Sequence, residues 1–110
     1  MEKEKSVAIL GAGSWGTALS IVLADNDVDV RLWSRDIKQV AEINSTRKNE
    51  FYLPGIELPE QVIAYHDMKE AVHDIKTIVV AIPTSGIREV MRQLLDCLEE
   101  PVTIVHVSKG

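Results

Sequence analysis

Val7-Ala8-Ile9-Leu10-Gly11-Ala12-Gly13-Ser14-Trp15-Gly16 decides the fold. Its apolar opening, Val7 to Leu10, is short and continuous, as a parallel strand buried on both faces requires. Glycines at 11, 13 and 16 then give G-x-G-x-x-G. Behind them Trp15, Ala18, Leu19, Val22 and Leu23 recur at helical spacing, which predicts a helix ending near Asn26 with these five on its inner face. Strand, glycine turn and helix bring backbone N–H groups and the positive helix end to one point, where a pyrophosphate can be held. In that arrangement Gly11 permits the tight turn, Gly13 lets a phosphate approach the backbone, and Gly16 lets helix and strand pack closely. A glycine turn that binds nothing would carry the same glycines; the strand before it and the helix after it favour the ligand.

Outward from this unit the chain alternates strand and helix. Val28 to Trp33 reads as a second strand, and Asp36 can cap a helix with Ile37, Val40 and Ala41 as its apolar positions. Asn44 to Glu60 has no clear period and contains Pro54-Gly55 and Pro59, so a long loop is expected. Val62 to Tyr65 makes a third strand, Asp67 to Asp74 about two turns of helix, and Thr77 to Ile82 a central strand stopped by Pro83. Ile87, Val90, Met91, Leu94, Leu95 and Leu98 form a helical stripe read as core packing, and Val102 to Val107 is the last strand. Five strands with interleaved helices imply a parallel sheet with right-handed crossovers. The expected fold is α/β, a Rossmann-type doubly wound parallel sheet in the order 3-2-1-4-5, with ligand over the carboxyl ends of strands 1 and 4. Strand 5 would then be an apolar edge, through which a homodimer could form.

A chain of 110 residues, 45% hydrophobic and 26% charged, has room for one core and is read as a single domain spanning 1–110. A net charge of −5 with scattered basic residues argues against nucleic acid. No apolar run approaches a membrane span, and Met1 to Lys5 does not look like a secretory start. Cys97 is the single cysteine and cannot form an internal disulfide, which suits a reducing cytoplasm. His66, His73 and His106 lack metal-ligand spacing, and His106, within an apolar strand, reads as a packed core imidazole.

A carboxylate normally stands about twenty residues after the glycines, on the ribose 2′-hydroxyl. Here the second strand ends in Trp33-Ser34-Arg35-Asp36. A serine and an arginine suit a 2′-phosphate through charge-assisted bonds and stacking on adenine, which favours NADP(H) while leaving NAD(H) possible. The alternative for Arg35 is an ordinary solvated charge at a strand end. Asp36 lies beyond the expected point and reads as a helix cap.

These motifs together resemble bacterial NAD(P)-dependent glycerol-3-phosphate dehydrogenase. The similarity runs through Gly11 to Ala18, Leu32-Trp33-Ser34-Arg35, Ile43-Asn44 with Asn49 and Tyr52-Leu53-Pro54-Gly55-Ile56, Ala81-Ile82-Pro83-Thr84 with Ile87-Arg88-Glu89-Val90, and Val107-Ser108-Lys109-Gly110. The resemblance implies cofactor contacts from Ser14 and Trp15 near the diphosphate, from Arg35 at the adenosine end, and from Lys109 to both cofactor and phosphorylated substrate. It also implies interconversion of sn-glycerol 3-phosphate and dihydroxyacetone phosphate, feeding phospholipid synthesis. Members of that family carry a helical second domain that supplies the catalytic lysine and most of the substrate pocket. No catalytic residue is therefore assigned within 1–110, and these residues alone are expected to be inactive. A stand-alone nucleotide-binding sensor module, or the cofactor domain of a 6-phosphogluconate or ketopantoate enzyme, are the alternatives.

Overall fold

The computed structural model describes residues 5–107. Its strands β1 (Ser6–Leu10), β2 (Asp29–Trp33), β3 (Val62–Tyr65), β4 (Thr77–Val80) and β5 (Thr103–His106) form one parallel sheet in the order β3-β2-β1-β4-β5. Helices α1 (Ser14–Asp25), α2 (Ile37–Thr46), α3 (Met68–Val72) and α4 (Thr84–Cys97) alternate with the strands, so the fold is the Rossmann-type one expected. Strand side chains point alternately to the two faces and divide the core accordingly. Ile9, Val30, Leu32, Val62 and Val79 pack in one layer with Ala24, Val40 and Ile43 of α1 and α2. Ala8, Leu10, Trp33, Ile78 and Val80 pack in the other with residues of α3 and α4, including Ala71, Val90 and Leu94. After β3 the chain returns to the far side of β1, where Leu10 is level with both Trp33 and Val80. That reversal opens a crevice at the carboxyl ends of β1 and β4.

The expected caps form. Asp36 Oδ1 accepts from the amides of Lys38 at 3.0 Å and Gln39 at 3.4 Å, and Asp67 Oδ1 accepts from Lys69 N at 2.9 Å. Helix α2 runs further than the sequence suggested, through Asn44, and stops where Arg47 turns left-handed at φ 61°. Asn44 is thus helical, and its side chain pairs with the backbone of β3. Its Nδ2 donates to Ala64 O at 3.0 Å, and its Oδ1 accepts from Ala64 N at 2.9 Å. Both outward-facing groups of that edge residue are satisfied, which blunts one edge of the sheet.

Four expectations about burial fail. The inner face of α1 is Gly16, Thr17, Ser20 and Ala24, while Trp15 and Val22 are about half exposed. A Cβ on Gly16 would overlap the Gly11 carbonyl oxygen, so the helix lies too close to the sheet for large side chains in that stripe. In α2 only Val40 of the three apolar positions is buried, and Ile43 takes the next inner place. His106 is exposed rather than packed, because β5 is an edge strand whose four residues belong to neither core layer. Leu95, too, is exposed at the border of the α4 stripe, whereas Leu94 is fully buried. Leu94→Ala should therefore cost about 2–5 kcal/mol in a urea unfolding curve. Leu95→Ala should stay within about 0.5 kcal/mol, and equal losses would restore Leu95 to the core.

Candidate dinucleotide-binding site

Beyond Leu10 the chain turns at Gly11, whose φ of 120° is open to glycine and strained for other residues. The Gly11 amide donates to Trp33 O at 2.9 Å, tying the turn to β2. A Cβ on Gly11 would collide with the Ala81 carbonyl and the Ile82 side chain, so the turn runs hard against the end of β4. Gly13 differs. A Cβ there would meet only the Tyr52 ring, at 3.9 Å, and the space above its backbone is otherwise open. Helix α1 begins directly behind it with no side-chain cap and no acidic residue in its first turn. Its first N–H groups and the positive end of its dipole therefore face that space. Two glycines are needed for packing and the third keeps a cradle clear beside a helix terminus, which fits a pyrophosphate.

Ser14 and Trp15 stand on the rim. Ser14 Oγ donates to Tyr52 O at 3.0 Å, joining the helix start to the 47–60 loop, and Trp15 presents its ring half-exposed beside the turn. The loop is itself ordered. Amides of Tyr52 and Leu53 donate to Asn49 O at 3.2 and 2.8 Å, Arg47 donates to the carbonyls of Pro59 and Val62, and the backbones of Lys48 and Glu57 pair in an isolated antiparallel β-bridge.

At the end of β2, Ser34 and Arg35 part company. Ser34 is buried, and its hydroxyl donates to Gln39 Oε1 at 2.5 Å while accepting from Asp36 N at 3.1 Å. It is committed to the protein and unavailable to a phosphate. Arg35 is exposed, and its guanidinium lies 3.9 Å from where a Cβ on Gly86 would stand. Since β2 and β4 flank β1, the Arg35 side chain leans across the crevice toward the first turn of α4. Lys109 lies outside the described residues.

The remaining candidates sit elsewhere. His66 Nδ1 is 3.3 Å from Ser34 O, and exposed His73 pairs with Asp74 at 3.4 Å. Cys97 closes α4, where burial pushes its thiol up and Asp67 and Asp96 push it further, against a smaller opposing effect of Lys69. Two clefts open at the opposite, amino-terminal end of the sheet, one beside Lys69, His73 and Cys97 and one beside Lys5, Arg31 and Lys76. Neither touches the glycine turn.

Sequence reasoning left Gln39 without a role and cited Asn49 only for its likeness to a family. Both have their side-chain amides turned inward beneath the turn, on the Ala12 carbonyl. An asparagine kept in a loop next to Phe51, Tyr52 and Leu53 was the available signal; nothing in the sequence marked Gln39.

Known proteins agree with this geometry. The family model described as NAD-dependent glycerol-3-phosphate dehydrogenase N-terminus matches residues 6–110. A glycerol-3-phosphate dehydrogenase [NAD(P)+] of Geobacillus thermodenitrificans is 54% identical over 106 residues, covering 96% of this chain and 31% of that protein. The crystal structure of glycerol-3-phosphate dehydrogenase from Coxiella burnetii is 36% identical and superposes with a TM-score of 0.92 over 97% of this chain and 33% of its own. The enzyme of Saccharomyces cerevisiae is 30% identical with a TM-score of 0.87, over 98% of this chain and 34% of its own. The chain spans about a third of the length of these relatives. With its glycine turn, sheet order and matched span in agreement, the chain belongs to the family of NAD-dependent glycerol-3-phosphate dehydrogenase N-termini.

Proposed function

We propose that this chain binds a nicotinamide dinucleotide across the carboxyl ends of β1 and β4, with NADP(H) favoured over NAD(H). The observation that carries the reading is the open space over Gly13 in front of the uncapped start of α1. The diphosphate lies against the first-turn amides, with Gly11, Gly13 and Gly16 shaping the backbone and Ser14 and Trp15 on the rim. When bound, the cofactor would supply hydride exchange; the residues of this chain bind and orient it. The 2′-phosphate preference rests on Arg35. Ser34 is sealed off, no carboxylate ends β2, and a guanidinium pairs well with a phosphate.

In the larger protein this domain would serve interconversion of sn-glycerol 3-phosphate and dihydroxyacetone phosphate, in the cytoplasm and as a step toward phospholipid precursors. Lys109, three positions after the last residue of β5 in the sequence, is assigned to cofactor and substrate by the family resemblance, as a compact positive charge. The exposed edge of β5 supports association of two copies.

Calorimetry tests the cofactor preference. Arg35→Ala should weaken NADPH binding by about 1.5–3 kcal/mol, the range for a charged hydrogen bond, and leave NADH nearly unaffected. Equal losses for both would show that Arg35 does not read the 2′-phosphate. A companion variant, Gly13→Val, should abolish binding of either dinucleotide while circular dichroism stays near native, since its side chain enters the cradle. Retained binding would move the diphosphate elsewhere.

A further inference from the structure

One buried polar cluster underlies the glycine turn and is satisfied throughout. Asn49 is 1% exposed and Thr17 fully buried. Asn49 Nδ2 donates to Ala12 O at 2.9 Å and to Thr17 Oγ1 at 2.8 Å, and its Oδ1 accepts from Gln39 Nε2 at 3.2 Å. Gln39 Nε2 also donates to Ala12 O at 2.7 Å, while its Oε1 accepts from Ser34. Thr17 Oγ1 adds a longer bond to Ala12 O at 3.3 Å. Both amide N–H bonds of Asn49 and of Gln39 are thereby used, and the two short bonds fill the lone pairs of the Ala12 carbonyl.

This arrangement has a direct geometric consequence. The Ala12–Gly13 peptide is trans, so its C=O and N–H point in opposite directions. Pinning the Ala12 oxygen into the protein turns the Gly13 N–H outward, toward the cradle. Side chains from α1, α2 and the 47–60 loop share the task, so the direction of one peptide depends on three separate elements. Through Ser34 the same cluster reaches the residue beside Arg35.

We infer that Asn49, supported by Gln39 and Thr17, is a positioning residue for dinucleotide binding, fixing the peptide that meets the pyrophosphate. The inference rests on the cofactor reading above. Asn49 touches no ligand in this role; it acts by holding a backbone donor in place before the ligand arrives, which spares the cost of ordering it on binding.

Adenosine 2′-monophosphate separates this from a purely structural role, because it carries the adenosine end and lacks the pyrophosphate. Asn49→Leu keeps the branched shape, at somewhat larger volume, and removes both donors. It should weaken NADPH by about tenfold or more and leave adenosine 2′-monophosphate within about twofold, by NMR titration. Gln39→Met, partly exposed and gentler on the fold, should show the same selective loss at smaller size, and carries the test if Asn49→Leu does not fold. Thr17→Ser, which keeps the hydroxyl, should bind NADPH almost as the unaltered chain does. Folded variants that bind both ligands normally, or lose both equally, would overturn the positioning role alone. An unaltered chain that binds no dinucleotide would overturn the cofactor reading and this inference with it.

Discussion

The closeness of Gly16 to the Gly11 carbonyl is the constraint on which the upper half of the molecule depends. Helix α1 can start directly behind β1 only if nothing stands between them. The same closeness dictates the small stripe of Gly16, Thr17, Ser20 and Ala24 along its inner face. It leaves larger residues such as Leu19 and Leu23 to pack at the flanks. With the helix brought so near, its first-turn amides stand at the edge of the sheet rather than above it, and the positive end of the dipole falls where the strand order reverses.

A turn built from glycines is cheap to deform, since each glycine has wide backbone freedom. Here the freedom is removed from beneath. The cluster of Asn49, Gln39, Thr17 and Ser34 replaces the hydration of a buried carbonyl with side-chain donors, and each member satisfies the next. A half-satisfied network in that position would be worse than an apolar one. Complete pairing makes it a rigid footing for the glycine turn above it.

The charge pattern around the crevice is consistent with this use. No acidic side chain stands in the first turn of α1 or α4, despite the net charge of −5. Arg35 reaches over the opening toward α4. Acidic residues instead sit at caps, as at Asp36 and Asp67, or on exposed surface. A negative protein can bind a negative ligand when the local field is set by helix ends and one guanidinium rather than by the total charge.

Much of this was legible in the residues themselves. The apolar runs, the three glycines and the alternation of periods carried the strand order, because burial on both faces and right-handed crossovers leave few other arrangements. Asp36 and Asp67 announced their helix starts by type and place, since capping is a local interaction. What only the tertiary structure decided was which side of each element faces inward and what lies beneath the turn. Periodicity placed Trp15 and Val22 inside α1, but close approach at Gly16 selected the small residues instead. His106 looked like core because its neighbours are apolar, yet an edge strand need not bury them. Asn49 and Gln39 are ten positions apart in a loop and a helix, and meet at Ala12 only after three elements have packed. Long-range polar contacts of that kind leave no period in a sequence, because their geometry exists only in the folded chain.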